Sequence, residues 1–316
     1  MTKTLAIVKA SKASASKASK ASKPKRPLPS FVFYRGPSML DGAPIIAIAT
    51  IKRSKNTKTG AMVQTWILRE DINPIDAART GADFSICGNC VHRGRFKIGL
   101  ISGTAIRIES TRSCYVRLDT APRNVWGTYH RGRYTDLANN LPEAAARIAG
   151  RIVRLGSYGD PAAVPYGVWS VLLSQAAGHT GYTHQWRQFP ELAIWVMASC
   201  DSSVERVHAR ALGFRTFRVA PAASWVKESG EVLCPASAEA GKKTSCIACK
   251  ACGGTSAKAR ADIVIPAHGG GKNLVRDKAA VAELRAADAA RLAAEAAATD
   301  AANAIVDSIL ANREAA

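Results

Sequence analysis

Apolar and β-forming residues first gather in two runs, PIIAIATI (44–51) and MVQTWIL (62–68), and the segment between them, KRSKNTKTGA, carries four cations and a glycine. Two such runs predict a β-hairpin with a Lys-rich turn suited to a phosphate, or simply solvated. Pro27, Pro29 and Pro37 predict an extended entry upstream, and residues 74–82 a short helix leading into the loop of Cys87 and Cys90. From about residue 121 the pattern changes to alternation. PRNVWGTYHRGRY reads as a polar, aromatic-rich helix or loop, and PEAAARIAG (142–150) as a helix begun at Pro142 and stopped by Gly150. IVRLGS (152–157) then reads as a buried strand ending at Tyr158-Gly159-Asp160-Pro161, followed by a helix over 164–177. HTGYTHQW (179–186) supplies the next strand, 187–192 a helical stretch, and AIWVMAS (193–199) a strand ending at Cys200-Asp201. A helix over 203–212 closed by Gly213, a strand FRTFRVA (214–220) and a last strand in DIVIPAHGGG (262–271) complete the series.

Alternation at this spacing predicts parallel βαβ units. The expected class is α/β: a partial or complete (β/α) TIM-like barrel with an N-terminal β-hairpin, a Cys-rich metal-binding segment and a C-terminal Ala-rich helix. Residues 1–30 read as a disordered basic tail, 31–272 as the barrel-like core with two cysteine clusters, and 273–316 as the Ala-rich helical tail, where Ile305, Val306, Ile309 and Leu310 form an apolar patch at helical spacing. Ligands of such folds lie beyond the carboxyl ends of the strands. The polar residues at those ends are Asp160, then Tyr182, Thr183, His184 and Gln185, then Asp201 beside Cys200. Asp160, Tyr182, His184 and Asp201 are therefore the candidate catalytic residues, although Asp160 and Asp201 also suit helix N-caps. Trp169, Trp195 and Trp225 sit in apolar runs and read as core. Trp126, Tyr129, His130, Arg131, Arg133 and Tyr134 interleave aromatics with cations, which suits either base stacking or a solvated helix.

Charge narrows the partner. Lys and Arg number 44 against 24 Asp and Glu, a surplus of +20 in 316 residues, and the sequence pI is near 9.9. Eight of these cations, with no acid, lie in residues 1–30, while residues 275–316 hold five cations against seven acids. Removing both leaves +14 on residues 31–274, so the body is basic in its own right and a nucleic acid or nucleotide is the expected partner. No apolar run reaches 18 residues and the Lys-rich start lacks a secretory h-region, so no membrane partner and a cytoplasmic location are expected.

The eight cysteines form two groups and an outlier, Cys200. Cys246-x-x-Cys249-x-x-Cys252 with Cys234 upstream offers four thiolates, and Lys242, Lys243 and Lys250 offset their charge; tetrahedral zinc and an iron–sulfur cluster both fit that ligand count. Cys87, Cys90 and Cys114 are three, leaving a fourth position open to an exogenous ligand or closed by His92.

The Cys-x-x-Cys pair, Cys114-Tyr115, the strand ending in Gly159-Asp160-Pro161 and the Tyr182-Thr183-x-x-Trp186 strand resemble a set of uncharacterised bacteriophage proteins related to the radical-SAM barrels, over roughly residues 45–270. The resemblance implies that Cys87, Cys90 and Cys114 ligate a [4Fe–4S] cluster whose fourth iron takes S-adenosylmethionine. It places Tyr115 beside the cluster, Gly159 and Asp160 in the stretch that contacts the methionine amine, and an auxiliary cluster or zinc on the C-terminal cysteines. A phage-encoded chain would work in the host cytoplasm. In place of the family's compact Cys-x3-Cys-x2-Cys, 23 residues separate Cys90 from Cys114, and no Gly-Gly-Glu is present.

Three functions follow. One is an iron–sulfur, radical-SAM-like enzyme acting on nucleic acid or a nucleotide. A second is a zinc-stapled basic nucleic-acid-binding protein without catalysis. The third resembles the base-exchanging transglycosylases, with Asp160 and Asp201 as the working carboxylates.

Overall fold

The computed structural model describes residues 30–52, 59–94, 96–101, 104–110, 112–221, 225–241 and 243–267. The basic tail, most of the Lys-rich turn, His268 with its glycine run and the Ala-rich tail lie outside the described residues.

The chain opens with β1 (Phe31–Pro37), β2 (Pro44–Thr50) and β3 (Val63–Arg69), an antiparallel meander. Positions 45–49 of β2 are buried without alternation, as expected of a central strand covered on both faces. The hairpin therefore forms as expected; of the predicted extended entry, Pro27 and Pro29 lie outside the described residues, while Phe31–Pro37 is a strand whose Phe31, Val32 and Phe33 bury their side chains. Next come α1 (Pro74–Thr80), α2 (Phe84–Cys87) and a separate hairpin, β4 (Phe96–Ile101) with β5 (Thr104–Ser110). After α3 (Ala121–His130), β6 (Thr135–Asp136) pairs parallel to β1, and α4 (Leu141–Arg147) leads into β7 (Ile152–Tyr158), parallel to β3. A 3₁₀ turn, Pro161–Ala163, precedes α5 (Tyr166–Leu173), whose Trp169 meets Phe33 at a ring distance of 5.3 Å in the core.

β8 (Gly178–Thr180) completes a six-stranded mixed sheet in the order β6-β1-β2-β3-β7-β8. One residue later β9 (Tyr182–Thr183) begins a second sheet. The residue at the switch is Gly181, where a Cβ would stand 2.7 Å from Val196 Cγ1 and 2.9 Å from Leu155 Cβ; only glycine lets the chain cross there. β10 (Met197–Cys200), α6 (Ser203–Ala211), β11 (Thr216–Ala220), β12 (Glu231–Leu233), α7 (Cys246–Cys249) and β13 (Asp262–Pro266) follow. The second sheet, β12-β13-β11-β10-β9, is parallel throughout.

The β4–β5 hairpin is antiparallel, and the expectation of parallel pairing holds for the strands from β6 onward, but no closed barrel forms. The strands divide between two sheets, with short β6 and β12 at their outer edges. AIWVMAS is also corrected: Pro190 starts a 3₁₀ turn, Pro190–Ile194, and only Met197–Cys200 is strand. Trp169 and Trp195 are buried as expected, whereas Trp225 is half-buried.

Candidate metal centre

The carboxyl ends of β9 and β10 and the loop after α2 meet at one point. Asp201 follows β10, and its backbone N–H donates to Glu205 Oε2 at 2.8 Å while Ser202 Oγ caps α6 by accepting from the Glu205 N–H. The capping position thus belongs to Ser202. The buried Asp201 carboxylate is left to two imidazoles, with Oδ1 2.6 Å from His92 Nε2 and Oδ2 3.2 Å from His184 Nε2. The Cys90 sulfur lies 3.9 Å from that same His184 nitrogen. The second ring nitrogen of His92 is held by Ser113 Oγ at 2.7 Å.

Two further contacts fix the loop that brings Cys90 and His92 here. Arg93 donates to Asp83 Oδ1 and to the carbonyls of Gly81 and Gly88. Gln185, just past β9, donates to the Cys87 carbonyl at 3.0 Å and accepts from the Asn89 N–H at 3.2 Å. Gly88 lies beneath it with φ +53°, and a Cβ there would come within 2.5 Å of the Gln185 side chain.

Electrostatics follow from this packing. Burial pushes the Cys90 thiol up, but the adjacent His184 and His92 outweigh it and hold Cys90 below its ordinary value. Burial opposes protonation of both histidines. Asp201 overcomes it at His92, and Cys90 with Asp201 raises His184 well above its usual range. Asp201 is held far below the carboxylate range by the two rings despite its burial. Cys87 and Cys114 are pushed up, chiefly by burial.

Among the described residues, His92, His184 and Asp201 are the one group of metal-ligating side chains whose donor atoms all lie within 4.8 Å of one another. Tetrahedral zinc sets neighbouring sulfurs about 3.8 Å apart, from a Zn–S bond near 2.3 Å. Both cysteine groups are gathered more loosely than that. Cys87, Cys90 and Cys114 nonetheless act on one another electrostatically, so the chain does bring Cys114 back to the Cys87–Cys90 loop. Cys234, Cys246 and Cys249 likewise surround Cys252, whose thiol is pushed up to about 12, first by burial.

The other predicted site residues are placed elsewhere. The Asp160 carboxylate accepts from Thr183 Oγ1 at 2.7 Å and from the N–H groups of Ala162 and His184 at 3.0 and 2.8 Å, so it caps the 3₁₀ turn and orients the backbone of His184. Gly159 packs on β3, where a Cβ would meet Ile67 at 2.6 Å. Tyr182 stands away from the histidines, against Phe217 at 4.5 Å and in hydrogen-bond contact with Cys252. Tyr115 is 62% exposed, and its hydroxyl accepts from Arg154 at 2.9 Å. Cys200 is fully buried below the site. The aromatics of α3 are engaged by the fold: Trp126 donates to the Arg69 carbonyl and Tyr129 to Glu70.

The pairing of His92 with Asp201 was not legible in sequence, where His92 was a neighbour of Cys90 able to close the cysteine trio. Ser113 left no sequence signal beyond its place before Cys114. Among the described residues no helix is long and apolar enough to cross a membrane. No protein-family model matches the chain, and comparison with curated proteins and with solved structures finds no match.

Proposed function

We propose that the protein is a metal-dependent enzyme whose metal is held at the strand ends by His92, His184 and Asp201, with Cys90 as the fourth donor. The observation that carries this reading is convergence. His184 turns one nitrogen, Nε2, toward both the Cys90 sulfur and the Asp201 carboxylate, and His92 Nε2 meets the same carboxylate. A Cys–His–Asp relay would use opposite nitrogens of one ring, one for the nucleophile and one for the carboxylate. Donors that face a common point are instead the arrangement of a coordination sphere, and Ser113 on the far nitrogen of His92 is the outer partner that such a ligand takes. Nitrogen, oxygen and sulfur donors together suit zinc or another borderline divalent ion. A metal so placed supplies Lewis acidity to a bound water or a polar substrate atom. His184 orients on the Asp160 carboxylate, and Asp201 holds both rings in register.

The basic body supports a nucleic acid or nucleotide as substrate. On this reading the cysteine quartet is a structural metal site. A second reading places an iron–sulfur cluster on Cys87, Cys90 and Cys114. It is favoured by the Tyr158 hydroxyl, which is buried without a hydrogen-bond partner close enough to Cys87 and Cys114 to feel their charge. Both readings need Cys90, so one excludes the other. Neither gives Asp160 or Gly159 a free face for S-adenosylmethionine, because their packing is filled by Thr183, His184 and Ile67.

Metal analysis and optical spectra of anaerobically purified protein separate them. A colourless protein with zinc or a similar ion that is lost from Asp201→Asn and His184→Ala supports the mononuclear centre. A brown protein whose iron and sulfide are lost from Cys87→Ser and Cys114→Ser, and kept in Asp201→Asn, overturns it.

A further inference from the structure

Several arginines among the described residues that reach inside are matched by carboxylates or carbonyls. Arg93 has Asp83, Arg218 has Glu231, Arg206 has Asp262 and Glu228, and Arg215 is taken up by the carbonyls of Ala251, Gly254, Arg260 and Ala261. Arg154 is different. It lies in β7 between Val153 and Leu155, which bury their side chains in the apolar core, so strand alternation turns Arg154 to the opposite face. There, among the described residues, neither a carboxylate nor a set of backbone carbonyls takes it up. Its guanidinium donates to the Tyr115 hydroxyl at 2.9 Å and lies 5.7 Å from the Tyr182 ring centre, near the Cys246 thiol. Tyr115 follows Cys114 directly and leaves its ring 62% exposed. A guanidinium with donors to spare, beside an open aromatic ring, complements the two things a nucleotide unit presents for recognition: an anionic phosphate and a stackable base.

We infer that Arg154 and Tyr115 form a nucleotide subsite between the strand-end centre and the cysteine quartet, with Arg154 taking a phosphate and the Tyr115 ring taking the base. This rests on the reading of the protein as an enzyme of nucleic acid or nucleotides and names the groups that hold its substrate. The same phosphate could belong to a free nucleotide or to a nucleotide within a strand.

The test uses the full chain with its metal. Binding of AMP, of adenosine and of a single-stranded DNA oligonucleotide is titrated against the wild type, Arg154→Gln, Tyr115→Phe and Tyr115→Ala, with metal content measured for each. The subsite predicts that AMP binds the wild type tighter than adenosine and that Arg154→Gln removes that difference, about tenfold, leaving adenosine unchanged. Tyr115→Ala weakens both ligands, and Tyr115→Phe, which keeps the ring, weakens AMP alone. If the requirement for Arg154 appears with the oligonucleotide and not with AMP, the phosphate is one within a strand; its salt slope then falls by about one in Arg154→Gln. The inference is overturned if Arg154→Gln leaves the binding of both AMP and the oligonucleotide unchanged. It is also overturned if that variant sheds the quartet's metal, since the guanidinium would then be a counter-charge for the thiolates. Failure of the metal reading registers separately, as wild-type protein whose metal does not depend on Asp201.

Discussion

The two cysteine groups differ in their company more than in their count. Cys90 sits against two imidazoles and a buried carboxylate, and the donors there mix nitrogen, oxygen and sulfur. Cys252 sits among three other thiols with Tyr182 and Arg215 beside them. Between residues 234 and 254 the one buried large-to-small apolar side chain among the described residues is Ala236, so that segment has almost no core of its own. On the proposed reading, an all-thiol set in a coreless loop would act as a structural metal site, replacing a core with coordination bonds. The mixed set is surrounded by well-packed elements and needs no such staple. Cysteine chemistry alone therefore does not distinguish the two; the neighbours do.

The sharpest way to break this contrast is Asp201→Asn. Removing the carboxylate charge that both histidines face is expected to weaken metal binding at the strand ends a thousandfold or more, about 4 kcal/mol, while the quartet keeps its ion. Metal per folded chain should fall from two equivalents to one, and activity should vanish. Loss of both equivalents, or of neither, would show that the two sites are not independent in the way their surroundings suggest.

A somewhat smaller effect is expected where the quartet's first ligand is anchored. Glu231, three residues before Cys234, accepts from Arg218 at 2.8 and 2.6 Å and lies 3.6 Å from Arg206. Burial alone would raise its pKa, but the Arg218 hydrogen bonds prevail and hold it below the ordinary 4.5. A depressed folded pKa contributes stability that is present above the unfolded value and is lost as pH falls through the folded one. Glu231→Gln should therefore cost about 3 kcal/mol at neutral pH, as for removal of one partner of a buried pair. The wild type and variant should converge in denaturant midpoint as pH falls below the ordinary carboxylate value and through the depressed folded one. A gap that stays constant with pH would mean that the carboxylate charge contributes nothing.

How much of this was readable beforehand depends on whether the signal was local. The β2–β3 hairpin, β7, α6, β11 and β13 were legible because each carries its own period, cap or glycine stop. β1 was not, since prolines at 29 and 37 masked a buried Phe31–Phe33, and Pro190 turned the apolar AIWV into a 3₁₀ turn. At the site, His184 and Asp201 were legible from their positions after strands. Their meeting with His92 was not, because it depends on a loop 109 residues away from Asp201 being folded back by Arg93 and Gln185. Asp160 was legible for the same positional reason, and its hydrogen bonds show it capping the 3₁₀ turn through Ala162, accepting from Thr183 and holding the His184 backbone.

Ser113→Ala probes the outer layer of the mixed site. Without the hydroxyl on Nδ1, His92 loses the partner that fixes its ring and tautomer, and metal affinity should fall 10- to 100-fold, roughly 1.4–2.7 kcal/mol. Competition titration with a chelator reads the change at the strand-end ion, and the quartet's ion serves as the internal reference. Equal affinity in the variant would leave Ser113 a packing residue only.

The smallest effect is expected at the eighth cysteine, which tests whether nearness to the centre is enough to make a thiol part of it. Cys200 precedes Asp201 in sequence, but it is fully buried, and its sulfur donates to the Ala198 carbonyl at 3.7 Å. Burial, then Glu205 and Asp201, push its pKa well above the ordinary thiol value, which leaves it protonated and poorly nucleophilic. Cys200→Ala should cost about 1 kcal/mol, as for a small deletion in a packed core, and change the metal content of neither site. In protein stripped of metal, Cys200 should also be the last thiol alkylated, reacting at the rate of global unfolding. Early labelling of Cys200, or loss of an ion from Cys200→Ala, would move it from the core into the coordination chemistry and blur the distinction between the two cysteine groups.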